Sequence, residues 1–482
     1  MSKKLWTLVS LLLIATMLLA ACGTPTAAPA TAAPATAAPA TAAPATAAPA
    51  TEPITLTMWT WKDFHVPALE ALAEQYYQET GVNVKIEFIT PDDAYRTRLQ
   101  TSAQSGELPD IISYWSGGHW DELVASDLVV NITDKVDYEW ASGFLPGTFE
   151  NTSVFTQARY DSCQANADCL SKARTVGEVY SVPLTVGSFG IVYLNKTMMK
   201  AAGVDPSYVP ANTDEFLDMM ERIQKATGKG ATIGGKFYDI LRNWIVNDWA
   251  MTNCGVQEYV DALNAEPGTT LTAECVQQAY GTIGKMAERN LWNPGFTALT
   301  IDESDLSFAQ GNASVAFGGS FTLGFLLANG MKAEDIAVIT LPALPTSKQI
   351  PIALSPFSLI EVMVSTHSLH PEEAVAFLRF LTTSDSAATF AKLTGDLPGA
   401  AISSDPAVVG DVMAGLAGAY ATAADGYRAT DAWINGQRLS GDVWAAMDNV
   451  AWHQVTGESD LLTDLQTADA AAKADRTSRG EP

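Results

Sequence analysis

Positive charge is scarce in this chain. Its 482 residues carry 28 Lys and Arg against 54 Asp and Glu, a formal charge of −26. Nucleic-acid binding rests on Lys and Arg neutralising phosphates, so a polyanionic partner is not expected. Charged residues of both signs make up only 17% while 47% are hydrophobic, which predicts a large core and more than one domain. Cysteine is scarce too: there are five, with no Cys-x-x-Cys pair, so neither a zinc ribbon nor a thioredoxin-type motif is indicated. A Gly-x-Ser-x-Gly hydrolase elbow is lacking. Beyond Leu19 no apolar run is long enough to span a bilayer, and the one at Leu5–Leu19 is itself short of the about 20 residues required.

Lys3 and Lys4 ahead of that run make 1–21 a secretion signal. Leu19-Ala20-Ala21-Cys22 resembles the bacterial lipobox, which implies cleavage before Cys22, lipid on the new N-terminal cysteine and an extracytoplasmic, membrane-anchored protein. TAAPA then repeats five times over Thr26–Ala50. Proline every fifth residue blocks helix and nothing there builds a core, so 22–53 reads as a tether of up to ~80 Å at about 3.1 Å per residue. A glycosylated stalk is the alternative. The remaining cysteines, Cys163, Cys169, Cys254 and Cys275, suggest two disulfides in an exported protein. Of three possible pairings, the local one, Cys163–Cys169 with Cys254–Cys275, is preferred.

The chain is organised around Tyr180–Lys196, YSVPLTVGSFGIVYLNK. Two strand-like runs flank Gly187 and Ser188, either as a hairpin or as a crossover between two lobes; the rest of the sequence favours the crossover. Ile54–Trp61 alternates, Ala68–Thr80 has Leu69, Leu72, Ala73 and Tyr76 on one helical face, and Val82–Phe88 alternates again. Asp92–Ser105 then predicts a helix and Asp110–Tyr114 a third strand. This β-α-β-α-β rhythm argues for a parallel sheet covered by helices, with ligands at the loops beyond the carboxyl ends of its strands. Those loops hold Trp61-Lys62-Asp63 and Trp115-Ser116. Later, Asn212 caps a helix with Glu215 and a stripe of Phe216, Met219, Met220 and Ile223, stopped by Gly228. Helices are also expected at Ile240–Met251 and Ala273–Glu288, strands at Ala313–Phe317, Ile336–Leu341 and Leu359–Val364, and a helical C-terminal part with Trp433, Trp444 and Trp452.

ITLTMWTW, SGELPDI at Ser105–Ile111, VYSVPL…VYLNK, FAQGNASVAFGG at Phe308–Gly319, SLHPEEAVAFLRFLTTSD at Ser368–Asp385 and GESDLLTDLQTA at Gly457–Ala468 stand in one order over nearly all of Ile54–Ala471. In that order and spacing the chain resembles extracellular solute-binding proteins of family 1, the group containing maltodextrin-binding protein. The resemblance implies an α/β, two-lobed periplasmic-binding-protein-like fold (type II) with several hinge crossings and a ligand cleft between the lobes. Carried over, lobe one is 54–184 plus 342–396, lobe two is 185–341 plus 397–472, and 473–482 is a polar tail. It implies a non-enzymatic, cofactor-free lipoprotein that hands a sugar to the transmembrane subunits of an ABC permease, as a monomer. Ligand residues implied are Trp61, Lys62, Asp63, Trp115 and Ser116 in lobe one, Gly187 and Ser188 at the crossover, and Phe321, Trp433 and Trp444 in lobe two. Phe321 follows Gly-Gly-Ser where the maltodextrin binder has a stacking Trp, and Trp444 falls on a second one. Gly187 stands where the relatives use a carboxylate, which leaves a polyamine, glycerol phosphate or another small polar solute open. A sugar suits stacking aromatics with a few oriented polar groups, since its C–H face is apolar and its rim polar.

Some features point elsewhere. Gly230–Lys236 fits GxxxxGK, but Phe237 stands where magnesium needs Ser or Thr, and the segment follows a helix stop rather than a strand. His367 and His370 lack further nearby ligands, so surface histidines are expected instead of a metal site. A secreted carbohydrate-active enzyme or an adhesin would share the aromatic richness.

Overall fold

The computed structural model describes residues 53–90, 92–116, 121–165, 169–187, 189–348, 357–417 and 439–481. Cys22, the TAAPA repeats, Ser188 and Trp433 lie outside the described residues. Nine strands are described: β1 Thr55–Thr60, β2 Asn83–Phe88, β3 Ile111–Trp115, β4 Val182–Gly187, β5 Ile191–Asn195, β6 Ala231–Thr232, β7 Val315–Gly318, β8 Ile336–Thr340 and β9 Phe357–Val364. They form two sheets. The first runs β2-β1-β3-β9-β4, with β1 parallel to β2 and β3, and β9 antiparallel to both β3 and β4. The second runs β6-β7-β5-β8, with β5 antiparallel to both neighbours.

The parallel trio is the expected β-α-β-α-β unit. Helix α1, Val66–Thr80, buries Leu69, Leu72, Ala73 and Tyr76, and Gly81 closes it at φ 76°, a conformation that costs a side chain but not glycine. Helix α2 is Asp92–Ser105. In the second sheet's half, Asn212 accepts a hydrogen bond from the Glu215 amide to start α3, Thr213–Thr227. Its buried Phe216, Met219, Met220 and Ile223 stabilise the fold by about 1.5–3 kcal/mol each. Next come α4, Asn247–Cys254, entered from a π turn at Arg242–Val246, α5, Val256–Leu263, and α6, Glu274–Glu288. Helices α7, Ile301–Ala309, and α8, Thr322–Ala328, flank β7. Helices α9, Pro371–Leu381, and α10, Ser384–Thr394, follow β9. Helices α11, Gly441–Thr456, and α12, Leu461–Ser478, bury Val443, Met447, Val450, Leu465, Ala468 and Ala472 in the second sheet's core.

Tyr180–Lys196 is a crossover and not a hairpin: β4 pairs with β9 in the first sheet and β5 with β7 and β8 in the second. A later passage lies against it. The Val186 amide donates to the Leu397 carbonyl and the Gly399 amide to that of Leu184, both at 2.9 Å. His65, just before α1, pins this passage through Nε2 to Asp396 Oδ2 at 2.9 Å, with both side chains buried. Burial lowers the His65 pKa, since a charged imidazole would lose its water there.

Three stretches lie at the expected boundaries. Thr185–Gly187 belong to β4, so the first sheet's strand extends three residues past Leu184. Ala343 and Leu344 pack in the second sheet's core, and the Trp249 indole donates to the Pro342 carbonyl at 2.9 Å, which holds this segment to that core. The expected polar tail is helical to Ser478, held by Arg476 on Glu266 at 2.8 Å. The disulfides are Cys163–Cys169 and Cys254–Cys275, the local pairing.

Candidate functional site

The first sheet contributes two ligand loops. After β1, Trp61 turns inward and is only 3% exposed; its ring lies 3.8 Å from that of Trp115, with 30° between the planes, and 5.2 Å from Tyr95. It therefore backs Trp115 and offers no open face, and its buried indole N–H has no partner among the described residues. Trp115, at the end of β3, is half-buried and also carries the Arg96 guanidinium 4.1 Å over its ring. The Ser116 hydroxyl donates to the Ser358 carbonyl on β9 and is buried. Asp63 is exposed and accepts from the Phe64 amide at 2.8 Å. Gly187 is buried at the end of β4, opposite Phe357.

Lys62 leaves this group and reaches the second sheet's half. Its Nζ stands 5.8 Å over the ring of Phe321, which sits between β7 and α8. Phe321 belongs to an aromatic wall at the crossover. Phe189 stacks on Trp244 at 4.7 Å with 5° between the planes, and Trp244 meets Phe321 edge-on at 6.1 Å. Two residues before Trp244, Arg242 lies 4.4 Å over the half-buried Trp444 ring of α11 and donates from Nε to Asp448 Oδ1 at 2.5 Å. Lys62 and Phe321 thus meet beside Trp244, and Arg242 of the same turn reaches Trp444, while Trp61 and Trp115 form a second cluster on the first sheet with Ser116 next to them in sequence.

Two carboxylates beside the wall have unusual electrostatics. Asp305 on α7 is buried, accepts from Thr322 Oγ1 at 2.9 Å, and burial pushes its pKa up to about 8. Asp248 on α4 is raised to about 7 by burial alone. Among the described residues no group of His, Cys, Asp and Glu is arranged to hold a metal ion, and no helix is long and apolar enough to cross a membrane. His367 and His370 are not drawn into any such group.

The sequence reading missed Phe189, Trp244, Arg242 and Asp248. Trp244 falls in an expected helix and reads as core beside Trp249; both are core, and Trp244 also backs Phe189 and Phe321. Phe189 sits inside the crossover string itself, and that position was the available signal.

The profile of the family described as bacterial extracellular solute-binding protein matches residues 58–388. The chain belongs to that family. An uncharacterized ABC transporter extracellular-binding protein of Pyrococcus horikoshii is 23% identical over 234 residues, covering 45% of this chain and 46% of the relative. The chain therefore aligns with about half the length of that relative. Among solved structures, one from work on xylan utilization by the thermophilic bacterium Caldanaerobius polysaccharolyticus has a TM-score of 0.64 at 22% identity, covering 86% of this chain and 99% of the other. Maltose-bound MalE3 of T. maritima has a TM-score of 0.59 at 17% identity, covering 87% and 99%. At these identities the structural likeness establishes the two-lobed fold. Family membership makes this a solute-binding protein rather than an enzyme, so the secreted-enzyme reading is set aside.

Proposed function

We propose that this solute-binding protein captures an oligosaccharide between its two sheets and delivers it to the permease of an ABC importer, tethered outside the cell through lipidated Cys22. The observation that carries the reading is the Phe189–Trp244–Phe321 wall at the crossover, with Lys62 of the opposite sheet's loop poised over Phe321. Aromatic faces match the C–H faces of pyranose rings, and a lysine from the other half reaches hydroxyls once the halves approach. Trp115 and Trp444, whose rings carry Arg96 and Arg242, belong to the expected ligand set, with Asp63 and Ser116 of the first sheet's loops and Gly187, Ser188 and Trp433 completing it. In this reading lobe one is built on the first sheet and lobe two on the second, with the chain passing between them after β4 and again beside it near 395–400. The names of the structural neighbours, maltose-bound MalE3 and the xylan-utilization protein, agree with a carbohydrate.

The test is a thermal-shift and calorimetric screen of the mature protein against malto-, xylo- and chito-oligosaccharides, raffinose and spermidine. Saturable one-to-one binding of a sugar that raises Tm supports the reading. Binding of spermidine alone, or of nothing in the panel, contradicts it.

A further inference from the structure

At the foot of the aromatic wall stands a carboxylate that no described residue uses. Asp248 lies in the first turn of α4, four residues beyond Trp244. It abuts Gly190, where the chain enters β5. Gly190 has φ +76°, and a Cβ there would stand 2.6 Å from Asp248 Oδ2 and 2.9 Å from the Trp244 carbonyl oxygen. Only glycine satisfies both the backbone angle and the space the carboxylate occupies.

Among the described residues no donor reaches the Asp248 carboxylate. Only its backbone carbonyl is engaged, by Thr252 Oγ1 at 2.7 Å. Nearby acids differ: Asp448 has Arg242, and Asp305 has Thr322. Nor is the residue sealed in, since part of it still faces open space. A desolvated carboxylate without donors is costly, and a ligand that brings donors recovers that cost on binding.

We propose that Asp248 is the orienting carboxylate of the cleft, accepting hydrogen bonds from hydroxyls of a neutral sugar stacked on the half-buried Phe189 and Phe321, which the buried Trp244 backs. The proposal rests on the sugar reading above and adds to it the residue and the ligand chemistry. An ionised carboxylate only accepts, so its partner must donate, and a phosphate-bearing solute is repelled. Lys62 over Phe321 places positive charge along the same wall, which disfavours a cationic amine. Hydroxyls meet neither objection.

A pH signature follows. Burial holds the Asp248 pKa at about 7 in the free protein. Donated hydroxyls favour the ionised form, so binding lowers that pKa and releases a proton. Charged and titratable groups on the surrounding elements do not disturb this. Arg242 of the π turn is taken by Asp448 of α11, and Lys348 by Glu258 of α5 at 3.4 Å. Burial keeps the hydroxyls of Tyr259 (α5) and Tyr280 (α6) protonated. None acts on Asp248, whose shift has burial as its one cause.

The experiment is calorimetric titration of the wild type with maltotetraose, xylotriose and raffinose at pH 8 and pH 6, the tightest sugar being repeated with Asp248→Asn. The wild type should bind about tenfold more weakly at pH 6 than at pH 8. Asp248→Asn should be weaker by about tenfold or more at pH 8 and flat with pH. As a check independent of how the variant folds, wild-type titrations at pH 7 in two buffers of different ionisation enthalpy should report about half a proton released. Sugar binding that ignores pH, releases no proton and survives Asp248→Asn overturns the role of Asp248 and leaves the sugar reading standing. Binding of none of the three sugars overturns both.

Discussion

Gly399→Ala should destabilise the protein far more than an alanine substitution normally does. Gly399 lies on the passage that runs beside β4. Its amide donates to the Leu184 carbonyl and its carbonyl accepts from the Leu145 amide, both at 2.9 Å. Its φ is not in the left-handed region, so backbone strain is not the issue. The obstacle is space: a Cβ would stand 2.5 Å from Pro183 Cβ, 2.6 Å from the Pro183 carbonyl oxygen and 3.0 Å from its carbonyl carbon. Two of those atoms are β4 backbone and cannot swing aside. The passage must lift away, which costs about 1–3 kcal/mol of overpacking, with about 1 kcal/mol more for each hydrogen bond lost. A net loss of about 2–4 kcal/mol is expected. Gly415→Ala is the matched control: it is exposed and helical, with nothing within 4 Å of the added Cβ, and should stabilise by about 0.5–1 kcal/mol. Urea unfolding of the three proteins compares them directly. If Gly399→Ala falls within about 0.5 kcal/mol of wild type, the close packing of this passage on β4 is wrong.

Other expectations follow from the same geometry. Asp305 has a folded-state pKa raised to about 8 from an ordinary 3.8, so the folded form binds its proton more tightly than the unfolded form. Its ionisation therefore costs stability progressively from about pH 4 to pH 8, and Asp305→Asn, still able to accept from Thr322, should raise Tm at pH 8 but hardly at pH 4. Replacing Cys254 and Cys275 by Ala opens a loop with sequence separation 21 and should cost about 3 kcal/mol in chemical denaturation. Phe321→Ala removes the ring between Lys62 and Trp244 and should weaken sugar binding roughly five- to tenfold, with the unfolding midpoint nearly unchanged; unaltered affinity would remove Phe321 from the site.

The fold was legible wherever local chemistry and tertiary packing agree. Alternation in Ile54–Trp61 and Val82–Phe88, and the Asn212 cap with Gly228 as stop, each encode a structure that short-range physics enforces, while the expected break at Gly187 falls just after it, since β4 runs through Gly187. The site was legible only in part. Trp61 follows a strand end and so reads as a loop residue facing ligand, but Trp115 and Tyr95 cover its ring from other elements. Trp244 reads as a core residue beside Trp249 and is one, 6% exposed, but from the π turn at Arg242–Val246 it also backs the half-buried Phe189 and Phe321. Asp248 carries no signal at all, since a lone aspartate in a helix looks solvated until Gly190 is seen against it. The helical C-terminal part was legible, but its end was read as a polar tail because the stripe beyond Leu465 is made of alanines, Ala468 and Ala472, and the residues after them are mostly polar and small.

Small-angle scattering of the mature protein, alone and saturated with the tightest sugar of the panel, tests the central claim most directly. A sugar gripped between the two sheets favours the form in which they approach, so the radius of gyration should fall on binding and recover when the sugar is dialysed away. A sugar that binds saturably while the scattering profile stays the same would contradict capture between the lobes.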